Sequence, residues 1–403
     1  MKKILFLSKD NLTTNPRLQK ELKLAVEQGC IVDFIGFYSG NWSDKINKKI
    51  TKKINANFHY ISAIRKPFLK WFLSSIIEKT AQKIYPFFKN NLIITAFAHS
   101  KRTFLLQQHL KKNNKKYDLI IAHTLPTLYP AYRLAQKLSS KFTFDIEDYH
   151  PGEAISNDNK NEITRRKFLM KKLLSSTCFI TYASPLIGEY SLKLLNNYPD
   201  KQHKLINNCF SRTEFQFRKN DSEKIKFVWF SQNISAGRGL ELLVPVLAKF
   251  KDKIELHLIG NLYQTFYDSF LLKYTDFVKI ISPLSQRELN LKLSEFDIGL
   301  SIELNTADIN RQICLTNKIW AYAQSGLYIL ATDTNAQIQF MQKHENIGLI
   351  SKQNNESLST SCENIIKNIN EIRYNKKTRF DYIQNLSWEN ESRKLVDIWN
   401  IIL

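Results

Sequence analysis

The sequence predicts an α/β protein with two parallel sheets, one in each half of the chain. Two observations carry this. Short apolar runs alternate with longer helical patterns along all 403 residues. The alternation also occurs twice, over about 200 residues each time, which is the size of a domain. Runs of four to seven apolar residues suit strands buried on both faces. Repeated strand–helix alternation gives a parallel sheet covered by helices on both sides. A 43% hydrophobic composition with only 11 Gly and 10 Pro excludes a disordered or collagen-like chain.

In the first half the strand runs are Ile4–Leu7, Ile31–Phe37, Leu119–Ala122, Phe142–Ile146 and Phe179–Ala183. In the second half they are Phe227–Phe230, Ile254–Ile259, Val278–Ile281, Ile298–Ile302, Tyr328–Ala331 and Ile347–Ile350. Helical patterns lie between them, as at Leu18–Glu27, Leu125–Leu138 and Gln286–Leu293. This predicts two Rossmann-like domains, residues 1–207 and 225–384, joined by the polar segment Asn208–Lys224. Such sheets bind ligands beyond the carboxyl ends of their strands. Two facing domains would form a cleft there, so residues just after strand ends are the first site candidates.

Met1-Lys2-Lys3 precedes an apolar run of four residues, too short for a signal segment or a membrane span. The five cysteines are widely spaced, without a CxxC pair. They read as reduced thiols of a cytoplasmic protein. The formal net charge of +22 is uneven. Residues 1–200 hold 33 Lys+Arg against 15 Asp+Glu, and residues 45–117 hold 17 against the single acid Glu78. Bulky apolar residues interrupt this basic stretch. Helical spacing puts Phe68, Trp71, Phe72 and Ile76 on one stripe, broken by Ser75 and flanked by Lys66, Lys70, Lys79, Lys83 and Lys89. A basic amphipathic segment of this kind reads as an anionic-membrane surface element. The alternatives are a core-facing helix with a solvated basic back and a nucleic-acid surface. No nucleic-acid partner is expected.

The first strand–helix loop, Ser8 to Arg17, has neither GxGxxG nor a P-loop. Asn15 before Pro16 predicts a helix start, with Arg17 pointing toward the cleft. Asp145, Glu147, Asp148, His150 and Glu153 cluster at another strand end, and His123 closes a third. Acids and imidazole there suit a base, an orienting group or a sugar-hydroxyl ligand. No complete metal-ligand set is apparent, so no metal is expected. In the second half, Ser231, Asn233, Gly237, Arg238 and Gly239 follow a strand and open a helix. The glycines allow close backbone approach, the helix start favours phosphate, and Arg238 offers a fork matched to a diphosphate. Gly260 ends a strand and permits ligand approach. Pro283 and Leu284 follow another, where backbone groups can read a nucleobase edge. Glu303 follows a fourth. Thr316 is positioned to cap a helix from Asn317, and Lys318 falls in its first turn, where a cation is mildly unfavourable unless an anion offsets it.

On Asn15-Pro16-Arg17-Leu18, Gly237-Arg238-Gly239-Leu240-Glu241, Asp297-Ile298-Gly299-Leu300 and Asn317-Lys318-Ile319-Trp320-Ala321-Tyr322 leading to Gly326, the chain resembles GT-B glycosyltransferases. Within them it resembles the family 4 retaining type of bacterial cell-surface glycan synthesis, over nearly its whole length. Ser387-Trp388-Glu389 is similar to the helix, here 385–403, that ends many such chains and crosses back to the first domain. The resemblance implies a nucleotide-diphosphate sugar as co-substrate in the C-terminal domain, an acceptor in the N-terminal one, and no cofactor or bound metal. Arg238 matches the second of two family cations that neutralise the leaving diphosphate. Ser231-Gln232 stands where the first cation is usual, a charge that Lys318 would replace. Ala321 stands where a Glu usually holds the donor ribose, Ile313 where its partner Glu is usual, and Glu147 where a His is common.

The expected catalytic residues are therefore Arg238, Lys318, Glu147 and His150. Ser231, Asn233, Gly237, Gly260, Pro283, Leu284, Glu303 and Asn317 are the expected donor site. Asn15, Arg17 and His123 are expected on the acceptor side. The function expected is a cytoplasmic glycosyltransferase at the inner membrane face, with a glycan or lipid-linked acceptor. The alternative is a catalytically inactive scaffold or binding protein in a glycan-assembly complex.

Overall fold

Each half of the chain builds one all-parallel sheet. The computed structural model describes residues 1–155, 159–195, 199 and 202–403. The first sheet comprises β1 (Lys3–Ser8), β2 (Ile31–Tyr38), β3 (Asn57–Ser62), β4 (Leu119–His123), β5 (Lys141–Ile146), β6 (Phe179–Tyr182) and β7 (His203–Leu205), in the order β3-β2-β1-β4-β5-β6-β7. The strand order reverses between β1 and β4, the kind of point where α/β sheets open a crevice. Register places Ser8 beside His123 and His123 beside Asp145. Three polar residues therefore stand in a row at the carboxyl ends of the central strands.

The second sheet comprises β8 (Ile225–Ile234), β9 (Ile254–Leu262), β10 (Val278–Ile281), β11 (Ile298–Ser301), β12 (Tyr328–Thr332) and β13 (Gly348–Ser351), in the order β10-β9-β8-β11-β12-β13. Alternate residues of β8 enter opposite layers, as strand geometry requires. Phe227 and Trp229 pack with Leu256, Leu258 and Leu300 on one face. Val228 packs with Ile259, Ile319, Tyr322 and Ile329 on the other. Gly299 of β11 lies directly under Tyr322, whose ring is 2.4 Å from where a Cβ would stand.

All eleven strands anticipated from apolar runs are present, and the fold class is as predicted. The two strands not anticipated, β3 and β7, are the edges of the first sheet. Each is covered less fully than the centre and carries polar residues, so neither shows a continuous apolar run. Contacts divide the chain into Met1–Ile206 with Ser392–Leu403, and Asn207–Glu391. The polar segment Asn208–Lys224 lies wholly in the second unit. It sends Cys209, Phe210 and Phe215 into the core of that unit. The final helix, Trp388–Ile402, contributes its residues from Ser392 onward to the first unit.

The basic stretch of the first unit folds into helices Trp42–Thr51, Phe68–Ile84, Leu92–His99 and Lys101–Lys111 around β3. Helix Phe68–Ile84 buries its small residues, Ser74 and Ala81. Its bulky residues Phe68, Leu69, Phe72, Leu73 and Ile76 face solvent, Phe68 and Leu69 at 62% and 67% exposure, followed by Phe87 at 83%. Trp71 was expected on the same stripe. It is instead half-buried, with Arg65 and Lys101 stacked 5.0 and 5.2 Å from its ring. Among the described residues no helix is long and apolar enough to cross a membrane.

Candidate active site

The row of polar strand ends in the first unit is held by a buried charge network. Asn15 caps helix Pro16–Glu27, its Oδ1 accepting from Leu18 N at 2.8 Å. One residue into that helix, Arg17 turns inward. Its Nε and Nη2 donate to Asp145 at 2.6 and 2.7 Å, and Nη1 donates to the Ile206 carbonyl at 2.5 Å. Glu21, one turn later, lies 3.6 Å from Arg17 Nε and 3.2 Å from His123 Nε2. His123 Nδ1 lies 2.9 Å from Glu147 Oε1, to which Asn15 Nδ2 also donates at 2.5 Å. The Thr181 hydroxyl donates to Asp145. Arg17, Glu21, His123 and Asp145 are each at most 1% exposed.

Burial penalises the charge of each member, and the neighbours decide the outcome. Burial opposes the Asp145 charge, but the Arg17 guanidinium holds its carboxyl below the usual range. Glu21 is pushed up by burial and by the Asp145 charge. Burial alone would lower His123. The Glu21 charge, hydrogen bonds with Glu147 and Glu21, and the Asp145 charge raise it to about 10. Glu21, His123 and Asp145 bring possible metal-ligand atoms within 4.8 Å of one another. Those atoms already face Arg17 and one another, and Arg17 supplies the positive charge that the carboxylates require.

Burial corrects two sequence expectations. Arg17 and His123 do not face an acceptor; they are enclosed and fix the strand ends from beneath. Asn15 is likewise buried, and Glu147, with 23% of its side chain exposed, is the most open member of the network. His150 and Glu153 stand apart from it, paired with each other and with Arg166. Glu21 was missed by sequence reasoning. Its signal is an acid at i+4 from Arg17 on the same helix face as Leu18, Leu22 and Ala25, a position otherwise apolar.

In the second unit, β8 runs on through Ile234 with a register irregularity between Phe230 and Asn233. Ser231 and Asn233 therefore lie in the strand end, not in the loop. Gly260 is also inside a strand. A Cβ there would lie 2.3 Å from the Ser231 carbonyl oxygen, so the close packing of these two strands requires glycine at this position. The loop proper contains Gly237 and Gly239, with φ of +74° and +82°. Gly239 starts helix Leu240–Leu247, which has no side-chain cap. Gly237 N donates to Glu241 Oε1 at 2.7 Å. Between the glycines, half-buried Arg238 makes no hydrogen bond or ion pair among the described residues.

Lys318 and Glu303 come together. Lys318 Nζ lies 2.8 Å from Glu303 Oε1 and 5.5 Å from the Trp229 ring centre. The anion expected to offset this first-turn cation is thus supplied from inside the unit. Helix Asn317–Gln324 begins after Thr316, whose side chain does not cap it. Asn317 is exposed and accepts from Asn208 Nδ2 at 3.0 Å. Pro283 is exposed and Leu284 half-buried in the loop after β10. Ala321 is fully buried in the core, while the Tyr322 hydroxyl accepts from Phe230 N at 3.3 Å.

No family model matches the sequence, and no curated protein is similar to it. Solved structures do match over the whole chain. A glycosyltransferase from Rickettsia africae is 15% identical, with a TM-score of 0.67 over 100% of this chain and 98% of that one. Sucrose-phosphate synthase from Thermosynechococcus elongatus is 13% identical, with a TM-score of 0.69 over 100% and 99%. Anabaena HepE, solved with UDP-glucose, is 12% identical, with a TM-score of 0.67 over 99% and 100%. The chain has the two-domain fold of the GT-B glycosyltransferases.

The His123 network makes a pH prediction. His123 keeps its proton to about 10 in the folded chain, against an ordinary value of 6.5. A raised histidine contributes fully below the unfolded value and loses that contribution as pH rises through the folded one. Urea midpoints should therefore fall between pH 6.5 and 10, and fall less in His123→Gln. Equal falls in both proteins would contradict the assignment.

Proposed function

We propose that this chain transfers a sugar from a nucleotide-diphosphate donor to a glycan or lipid-linked acceptor, with retention of anomeric configuration. The observation that carries the reading is Arg238. It is a cation unpaired among the described residues, between two left-handed glycines at an uncapped helix start, in a fold whose solved examples include HepE with UDP and with UDP-glucose.

In such a transfer the bond from the anomeric carbon to the diphosphate oxygen breaks, and the diphosphate takes the electron pair. The acceptor hydroxyl oxygen bonds that carbon and gives its proton to the departing diphosphate oxygen. Positive charge develops on the sugar and negative charge on the diphosphate. Preorganised cations and helix amides stabilise the latter without reorganising. Arg238 serves this role directly. Lys318 shares it with Glu303, since an arriving diphosphate competes for the ammonium and leaves the carboxylate to accept sugar hydroxyls. Ser231, Asn233, Gly237, Pro283, Leu284 and Asn317 complete the donor side. Glu147 and His150 serve the acceptor side, with the Asn15 amide holding Glu147 in place. A second reading, an inactive scaffold in a glycan-assembly complex, draws on Ala321, which provides no carboxylate for a ribose.

The exposed apolar face of helix Phe68–Ile84, continued by Phe87 and Phe88 and flanked by exposed Lys66, Lys70, Lys79, Lys83 and Lys89, suits the anionic inner face of the cytoplasmic membrane. Each such lysine contributes about 1 kcal/mol at an anionic leaflet.

Two measurements check these statements. Calorimetric titration should show UDP binding that weakens at least about tenfold in Arg238→Ala, the scale of a lost charge-assisted hydrogen bond. Equal affinity would remove Arg238 from the site. The chain should float with vesicles containing phosphatidylglycerol but not with phosphatidylcholine alone. Equal flotation after the five flanking lysines are changed to Gln would contradict the membrane assignment.

A further inference from the structure

A second concentration of polar groups in the first unit lies outside the Arg17–His123 network. It lines a cavity of about 340 Å³ beyond the carboxyl ends of β1, β4 and β5. That size is within the roughly 300–1,000 Å³ range of small-molecule sites. Lys9, Arg102 and Arg166 contribute cations, Asp10 and Glu153 anions, and His99 and His150 imidazoles.

The two histidines are built alike. His99 Nδ1 lies 2.5 Å from Glu162 Oε1, and His150 Nδ1 lies 3.2 Å from Glu153 Oε2. An ionised carboxylate only accepts, so each Nδ1 carries a hydrogen, and Nε2 is the ring nitrogen left for a further hydrogen bond. Both Nε2 atoms are buried and have no hydrogen-bond partner among the described residues. The side chains of His99 and His150 are 8% and 6% exposed. Buried polar atoms of this kind ordinarily have a partner. The carboxylates stay ionised. Burial opposes their charge, but His150 with Arg166 and Lys9 holds Glu153 at about 2, and His99 with Arg165 holds Glu162 at about 2.

The cations are arranged to leave donors free. Arg166 Nη1 donates to Glu153 and to the His150 carbonyl at 2.9 and 2.7 Å, and its Nε donates to Glu162 at 2.9 Å. Arg102 Nη1 donates to Asp10 and to the Lys9 carbonyl, both at 2.6 Å. Neither Nη2 has a partner among the described residues, and the Lys9 ammonium is in no ion pair there. Three cations against two anions leave the lining positive. Helix Leu125–Leu138 also starts at the cavity. Its N-cap Thr124 has φ of +72°, and its hydroxyl accepts from Lys9 N at 3.2 Å in place of capping the helix. A non-glycine residue in the left-handed region is strained, a feature that clusters at ligand sites.

We infer that this cavity is a subsite for a hydroxylated oxyanion, an acidic sugar or a sugar phosphate. Lys9, Arg102 and Arg166 take the oxyanion, and the Nε2 atoms of His99 and His150 hydrogen-bond to the hydroxyls. Calling this ligand the acceptor rests on the glycosyltransferase reading; the binding chemistry does not. The test is calorimetric titration of the full chain with glucuronate, with glucose 1-phosphate and with glucose, and with UDP in parallel. At least one anion should bind tenfold or more tightly than glucose, and which one does so separates carboxylate from phosphate. Lys9→Met and His150→Asn should each weaken that anion at least fivefold and leave UDP binding unchanged. The Asn amide keeps a donor for Glu153 but removes Nε2. If His150→Asn loses its fold, Lys9→Met, at a half-exposed position, decides alone. Glucose binding as tightly as both anions, no binding of any probe, or an anion affinity indifferent to Lys9→Met would overturn the inference. Loss of UDP binding alone would strike the donor reading and leave the subsite standing.

Discussion

A parallel sheet delivers all its strands to the same edge, and in the first unit this crowds His123, Asp145 and Glu147 onto neighbouring strand ends. With Glu21 facing them from the first helix, three carboxylates and an imidazole share an enclosed space. Arg17 makes the crowding tolerable. Its fork pairs bidentately with Asp145 and its remaining arm reaches the Ile206 carbonyl, so it ties the first helix to β5 and to the end of the first unit's main segment. Removing one partner of such a buried pair typically costs about 3–5 kcal/mol. Glu147, the most open member of the network, has a fixed position because Asn15 and His123 hold it.

The second unit meets a different requirement. Its sheet has few charges at the strand ends, and they are arranged in two states of readiness. Arg238 is unpaired among the described residues and sits on a loop whose two left-handed glycines shape the approach to a helix start. Lys318 is already neutralised by Glu303 and stacked over Trp229. A diphosphate would meet one free cation and one that must be shared, and sharing it would turn Glu303 toward the sugar. Ala321 is closed into the core, and Glu303 is itself buried, at 8% exposure.

Much of this was legible from residue pattern. Central strands read clearly because burial on both faces demands unbroken apolar runs. The edge strands β3 and β7 did not, because edges are only partly covered. Asn15-Pro16 marked a helix start correctly, since a cap and a fixed φ are local properties. Arg17 and His123 were legible as important but misassigned to the ligand face. Whether a polar residue at a strand end points up into solvent or down into a network depends on residues far away in sequence, here Glu21 and Asp145. The same limit applied to Gly260, where the close neighbour is the Ser231 backbone of the adjoining strand. In the aromatic helix the periodicity identified the apolar stripe, and the structure turns Phe68, Phe72 and Ile76 outward while Ser74 and Ala81 are buried; Trp71 alone of the stripe is half-buried.

The central claim is that the second unit holds a nucleotide-diphosphate sugar at the Gly237–Leu240 loop and the start of helix Asn317–Gln324. Hydrogen–deuterium exchange of the full chain with and without UDP-glucose tests it most directly, because exchange reports which backbone amides a ligand covers. The account predicts slowed exchange across residues 237–242 and 317–321, with little change in β3 or helix Phe68–Ile84. Unchanged exchange at both loops under a panel of nucleotide sugars, or protection confined to residues 45–117, would contradict it.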